Sequence, residues 1–308
     1  MKLSSFGLSL LPAARLRWSS ATAAARRASA FAAALVFLAA MAAQAAGTNT
    51  LCVVTYNLRN ANFDHGDNAW TRRRPLMREL LQAVNPDLIG TQEGVTNQLN
   101  DIVEDLPQYR WIGVGREKGC KGEHMAIFYR TSRLAPLATN HFWLSDTPEI
   151  PGSTTWGNAN RRMVTWVKFL DRQTGREFYH FNTHFDYEVA RARENSAKLV
   201  RSRVEALHTE SPVILTGDFN VDAKDPTHQL LVQDGFFTDT WFAAQKRPAE
   251  TWDSFNDFKA LPRTGSRIDW ILVRGKATVL FTEVNTFARN GLYPSDHCPV
   301  VAYIVLGE

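Results

Sequence analysis

Acidic residues near the start, long apolar runs, paired cysteines and internal repeats are what this sequence lacks. Each absence excludes something. The chain has 308 residues but only three cysteines, Cys52, Cys120 and Cys298. An odd count excludes a fully paired disulfide scaffold, and no C-x-x-C spacing suggests a zinc knuckle or a redox pair. Cys52 and Cys298 stand in or beside apolar runs, where buried free thiols are expected. No repeat, linker or low-complexity stretch interrupts residues 51–306, which argues against solenoids and tethered modules.

The first 45 residues contain no acid, while Lys2, Arg15, Arg17, Arg26 and Arg27 are basic. A small apolar stretch, Ala30 to Ala43, follows, and then Ala43-Gln44-Ala45. The stretch falls short of the roughly 20 residues that a membrane span requires. A basic region, a short apolar segment and an A-x-A site read as a secretory signal, so we expect residues 1–45 to be removed and residues 46–308 to be exported to the periplasm or the medium. The charge then changes meaning. The whole chain has 35 basic and 31 acidic residues, a net of +4; without the five basic residues of the segment, 30 face 31 and the net is −1. Such a protein has no global basic field to draw in polyanions.

What is present is a series of short apolar runs. Strands are expected at Leu51–Leu58, Leu88–Thr91, Met125–Tyr129, Met163–Phe169, Phe178–Thr183, Val213–Thr216, Ile268–Val273, Thr278–Thr286 and Pro299–Val305. Helical spacing marks Arg73–Val84, Ala190–Leu207 and Thr227–Gln233. Asp146–Asn160 and Lys246–Ser266 are rich in Gly, Pro and polar residues and read as long loops, a common location for function. The pattern predicts a single α/β domain in which strands predominate.

Five times, a group able to bind metal or phosphate falls directly against an apolar run: Asn57, Gln92-Glu93, His184, Asp218-Phe219-Asn220 and Asp296-His297. Polar groups at strand ends are held rigidly beside open loops. Singly each signal is weak: Asn57 or Glu93 can cap a turn or helix, and a lone histidine is more often structural. Period two aims Asp218 and Asn220 to one side of an extended segment.

Together, Tyr56-Asn57-Leu58, Gln92-Glu93, Asn182-Thr183-His184, Gly217-Asp218-Phe219-Asn220, Arg267-Ile268-Asp269 and Ser295-Asp296-His297 resemble the endonuclease/exonuclease/phosphatase superfamily, across about residues 50–306. Gly122-Glu123-His124 and Phe142-Trp143-Leu144-Ser145 look most like exported bacterial members. The resemblance implies a four-layer α/β sandwich, two packed mixed β-sheets flanked by helices, with the site at one rim. It implies a divalent-metal-dependent hydrolase of phosphate esters. Glu93 would be the principal metal ligand, with Asn57 beside it and Asp296 as a second ligand; Mg²⁺ is expected, with Mn²⁺ or Ca²⁺ as alternatives. Asp218 would orient or deprotonate the attacking water and Asn220 would hold phosphate or that water. His297, its ring fixed by Asp269, would contact phosphoryl oxygens, and His184 would donate to another oxygen or assist proton transfer.

At His124 relatives commonly carry a tyrosine that touches the phosphate; the histidine either keeps that hydrogen bond or marks a tolerant position. Arg162 matches a phosphate-binding arginine, although Arg161 beside it is an equal candidate for pointing inward. Trp143 and Trp156 either stack on substrate or pack the loop, whereas Trp166 and Trp270 are expected in the core. Asp186 and Arg193 line the mouth or serve as caps. The leading expectation is a phosphodiesterase or nuclease-like enzyme. A phosphomonoesterase on a sugar or inositol phosphate is the nearest alternative. Nucleic acid is a possible substrate. Phe255, Phe258 and Leu261 are interleaved with charge, which disfavours lipid insertion; a monomer without stable membrane insertion is expected. A catalytically silent binding protein on this fold is disfavoured because Glu93, His184, Asp218, Asn220, Asp269, Asp296 and His297 are all retained.

Overall fold

A computed structural model describes residues 49–307, so the expected signal segment lies outside the described residues. In chain order the strands and helices are β1 Thr50–Asn57, α1 Trp70–Val84, β2 Leu88–Gln92, α2 Thr96–Asp105, β3 Tyr109–Ile112, β4 Ile127–Arg130, β5 Leu134–Trp143, β6 Met163–Asp171, β7 Arg176–His184, α3 Ala190–Glu205, β8 Val213–Asp218, α4 Pro226–Val232, β9 Thr238–Asp239, α5 Thr240–Ala243, β10 Asp269–Arg274, β11 Ala277–Val284 and β12 Val300–Leu306. They form two six-stranded sheets, β11-β12-β1-β2-β4-β3 and β5-β6-β7-β8-β10-β9. Both sheets are mixed, and each has one parallel pair near its centre: β1 with β2, and β7 with β8. This is the expected α/β sandwich.

Each parallel pair is joined by a helical crossover, as parallel strands require. In α1 the buried Leu76, Met77, Leu80, Leu81 and Val84 recur at helical spacing, and Asn85 ends the helix in the left-handed conformation (φ 51°). The helix starts at Trp70, three residues before the expected Arg73, and accommodates Pro75 inside its second turn. In α3, Ala197, Val200 and Val204 pack against Phe181, Val164 and Leu215 on the outer face of the second sheet.

Between the sheets the side chains change character along the strands. At one end Leu51, Val53, Leu88, Phe178, Ile214, Val273 and Ile304 form an apolar core. Burying each such side chain stabilises the fold by about 1.5–3 kcal/mol. Two residues beyond Val53 and Ile214, and four beyond Phe178, the same strand faces carry neutral polar groups: Thr55, Thr216 and Asn182, all buried. The Asn182 amide donates to the carbonyls of Thr91 (2.7 Å) and Ala126 (3.0 Å), and its oxygen accepts from Gln92 Nε2 (2.8 Å) and Thr216 Oγ1 (3.0 Å). This seam bonds the sheets together. Gly90 permits it, because a Cβ there would lie 2.0 Å from Thr216 Oγ1 and 2.5 Å from Asn182 Oδ1. Beyond the seam, at the strand ends, are the ionisable residues.

The structure adds elements that the pattern did not predict. Strand β5 is an edge strand whose middle is exposed, with a register shift between Pro136 and Ala138, so it lacks apolar alternation. Helix α2 buries only Gln98, Leu99 and Ile102 in a Thr- and Asn-rich segment. The three cysteines are free, with Cys52 and Cys298 buried and Cys120 exposed.

Candidate active site

The two parallel pairs end side by side in register, Asn57 opposite Gln92 and His184 opposite Asp218. Strand β10 brings Asp269 opposite Asp218, and the segment before β12 supplies Asp296 and His297. These residues form one cluster. The Asn57 amide nitrogen donates both to Glu93 Oε1 (3.0 Å) and to Asp218 Oδ2 (2.9 Å), bridging the sheets. Its oxygen accepts from the Arg59 backbone N–H (3.0 Å), which keeps the NH₂ turned toward the two acids.

His297 Nδ1 lies 3.0 Å from Asp269 Oδ2, and its Nε2 lies 3.7 Å from Asp218 Oδ2. His184 Nε2 approaches Asp218 from the other side at 3.5 Å. Burial disfavours the imidazolium of His297, but Asp269 and then Asp218 outweigh it and hold the ring protonated, well above its usual range. Burial keeps His184 neutral, reinforced by the charges of Arg162 and Arg116. Burial and the charge of Asp269 push the Asp218 carboxyl up to about 7, against the pull of His297 and the Asn57 amide. The site therefore pairs a proton donor with a carboxylate that titrates near neutrality, the condition for general acid–base work.

Asn220 has a left-handed backbone (φ 57°), donates its N–H to Asp218 Oδ1 (2.9 Å) and bonds Phe185 O through its side chain (3.0 Å). Between the two neighbouring arginines the geometry decides: Arg161 reaches outward to Glu117 (2.7 Å), and Arg162 is buried, 3.5 Å from Asp186. Buried Arg162 Nε makes no hydrogen bond, only the 3.5 Å ion pair with Asp186, and a phosphoryl oxygen would satisfy such a donor. Asp186 accepts from the N–H groups of Glu188 and Val189, and Arg193 donates to its carbonyl, so both residues buttress Arg162.

His124 hydrogen-bonds Gly94 through its backbone (2.8 Å), and its ring meets Trp111 edge-on at 5.5 Å. Burial holds that ring neutral, below its usual range. Trp143 is buried with its indole N–H on Arg116 O (2.7 Å), and Trp156 donates to Asp146 (2.7 Å); both pack the long loop. Trp270 is core as expected, whereas Trp166 is half-buried on the outer face of its sheet.

Several residues were missed. Arg59 pairs with Asp296 (3.2 Å) and Asp64 (2.8 Å). The Asn60 backbone N–H donates to Glu93 Oε2 (3.1 Å), and its side chain donates to Glu123 (3.0 Å), which is paired with Arg116 (2.9 Å). The available signal for Arg59 and Asn60 was their place directly after Tyr56-Asn57-Leu58.

The donor set suits a hard divalent cation. Glu93 lies just past β2 with a left-handed backbone (φ 62°), half-buried, and receives only an amide and a backbone N–H. Among the described residues no lysine or arginine forms an ion pair with it. A half-buried carboxylate that no basic side chain contacts directly, near Asn57 and Asp296, fits oxygen coordination, with Arg59 the nearby positive charge. Ligand atoms of Asp218, Asp269 and His297 also lie within 4.8 Å of one another. There, however, His297 Nδ1 is committed to Asp269 and the ring is held protonated, which suits proton handling better than ligation.

The sequence profile of the Endonuclease/Exonuclease/phosphatase family matches residues 54–297. The chain belongs to this family. Among solved structures, an endonuclease/exonuclease/phosphatase family protein from Bacteroides thetaiotaomicron is 38% identical with a TM-score of 0.79, covering 84% of this chain and 95% of that one. A mannosyl-6-phosphatase from B. thetaiotaomicron VPI-5482 is also 38% identical, TM-score 0.77, covering 83% and 99%. A curated relative, uncharacterized protein L388 of Acanthamoeba polyphaga mimivirus, is 32% identical over 173 residues, 52% of this chain and 62% of that protein. Members of the family hydrolyse phosphate esters, and its typical use of divalent metals agrees with the half-buried Glu93 carboxylate.

Proposed function

We propose that this chain is a divalent-metal-dependent phosphatase that removes phosphate from a sugar monoester. The observation that carries the hydrolase reading is Asp218 held between His297 and His184, beside a buried Arg162 whose Nε makes no hydrogen bond. Asp218 takes the proton of the attacking water, which Asn220 helps to place. Protonated His297, steadied by Asp269, donates to a phosphoryl oxygen and stabilises the charge that develops there. Arg162 and His184 receive the remaining oxygens. A bound cation at Glu93, with Asn57 and Asp296 nearby, would polarise the phosphoryl group and lower the pKa of water.

The sequence alone ranked a diesterase first. Support for a monoester comes from the 38% identity to the mannosyl-6-phosphatase across 99% of that chain, and from the absence of a basic field once residues 1–45 are set aside. We also propose that the enzyme acts as a monomer after export; among the described residues no helix is long and apolar enough to cross a membrane.

The test compares purified protein on mannose 6-phosphate and on bis(p-nitrophenyl) phosphate, with Mg²⁺ and with EDTA. Metal-dependent turnover that favours the monoester by at least about tenfold, a difference of about 1.4 kcal/mol in the barrier, is expected. Preference for the diester would restore the phosphodiesterase reading. Undiminished activity in EDTA would remove the metal from the proposal.

A further inference from the structure

The loop between α5 and β10 has an inverted pattern: its polar residues are inside and an aromatic ring is outside. Ser254 is 0% exposed and Asn256 is 3% exposed, while Phe255 between them is 40% exposed. The inside residues are fully occupied. Ser254 Oγ accepts from the N–H groups of Ile268 (3.0 Å) and Asp269 (3.2 Å), and its carbonyl accepts from Cys298 N (2.7 Å). The Asn256 N–H donates to Asp296 O (2.8 Å), and its side-chain oxygen accepts from Phe258 N (2.7 Å). Asp253 anchors the far side of the loop through Thr264, Gly265 and Ser266. Asp257 and Phe258 both hold left-handed backbones (φ 53° and 56°), a conformation that persists only where its surroundings enforce it.

These bonds hold Phe255 at the lip of the reaction centre. Its backbone bridges His297, and its ring lies 5.0 Å from the His297 imidazole at 63°. The neighbouring apolar residues are committed elsewhere: Phe258 covers the Arg73 guanidinium and Leu261 packs against the inter-sheet core. An exposed phenyl ring that is rigidly placed beside a phosphate-contacting histidine lies where the group esterified to the phosphate must sit.

We infer that Phe255 is the platform for the leaving group, its outward face stacking on the ring of the sugar whose phosphate is held by His297. The inference rests on the sugar-phosphatase reading and deepens it, because it makes a ring-shaped leaving group the feature selected. The stack requires an apolar ring face at the substrate carbon skeleton, which a pyranose has and a short acyclic alcohol lacks.

The experiment measures kcat and KM for mannose 6-phosphate and for glycerol 3-phosphate in the wild type, Phe255→Ala and Phe255→Tyr. In Phe255→Ala the KM for the ring substrate is expected to rise about five- to tenfold relative to the change on the acyclic one, with kcat affected far less. Phe255→Tyr should keep the ring preference, which shows that the loop has folded. An equal loss on both substrates would assign Phe255 to holding His297, and no loss on either would remove it from the site; both outcomes overturn the inference while leaving the sugar-phosphatase reading intact. A wild type that turns over neither ester overturns that reading, and the inference falls with it.

Discussion

The two parallel strand pairs are built alike and end differently. In each, a helix joins strands that finish in register, and the residue after the first strand donates its N–H to the last carbonyl of the second: Leu58 to Gln92 (3.0 Å) and Phe185 to Asp218 (2.9 Å). In the β1/β2 pair the final residues are two neutral amides, Asn57 and Gln92, and the acid comes one residue later. Glu93 therefore turns out of the sheet on a left-handed backbone toward solvent. In the β7/β8 pair the final residues are His184 and Asp218, and the acid stays inside the sandwich. One residue of offset separates a half-exposed carboxylate from one whose burial pushes it toward neutrality, the division of labour on which the proposed mechanism rests.

The comparison predicts different failures. The largest is expected for Asp218→Ala, which should lower kcat by about 10⁴-fold with little change in KM, because it removes the general base. Raising Mg²⁺ should not restore it. Glu93→Gln should cost about 10³-fold, and part of that should return as Mg²⁺ or Mn²⁺ is raised, because a weakened cation site can be refilled by mass action. Recovery by metal in Asp218→Ala but not in Glu93→Gln would reverse the roles of the two halves.

The second half rests on a buried ion network, whereas the end of β1 rests on Arg73, which donates to the carbonyls of Leu58, Arg59 and Pro294. Beneath Asp269, Arg267 NH2 is 2.9 Å and His228 Nε2 is 3.0 Å from the buried Asp239 carboxylate, and Arg267 also donates to the Asp269 carbonyl (3.3 Å). Burial works to raise the Asp239 carboxyl, but Arg267 and His228 win and hold it below the usual range. A depressed folded-state pKa gives stability that is present above the unfolded value, about 3.9, and lost as pH falls through the folded one. Asp239→Asn should therefore cost about 3 kcal/mol at pH 7, measured by urea unfolding, and the gap from wild type should close below about pH 4. A gap of the same size at pH 3 would show that shape rather than charge is at stake.

Much of the site was legible because its residues occupy strand ends, where an apolar run stops at a single polar group. Asn57, Glu93, His184, Asp218 and His297 were all found this way, Asp269 came only with the family resemblance, and the structure brings them together. Strand β5 was not legible, since an exposed edge strand need not alternate. Arg59 carried no periodic signal, because its role depends on Asp296, which is 237 positions away in the numbering. Phe255 was read only as one of three apolar residues interleaved with charge. The sequence pattern cannot show that Ser254 and Asn256 are the buried ones.

By itself the sequence determined the family resemblance, the apolar runs that become strands, and the residue types at their ends, because local spacing and residue chemistry are written along the chain. Only the tertiary structure decided that Arg162 rather than Arg161 points inward, that burial keeps His184 neutral while Asp269 and Asp218 hold His297 protonated, and that the Asp218 carboxyl is pushed toward neutrality. Those properties depend on burial and on charges brought within a few ångströms from distant segments, and neither is a property of local order.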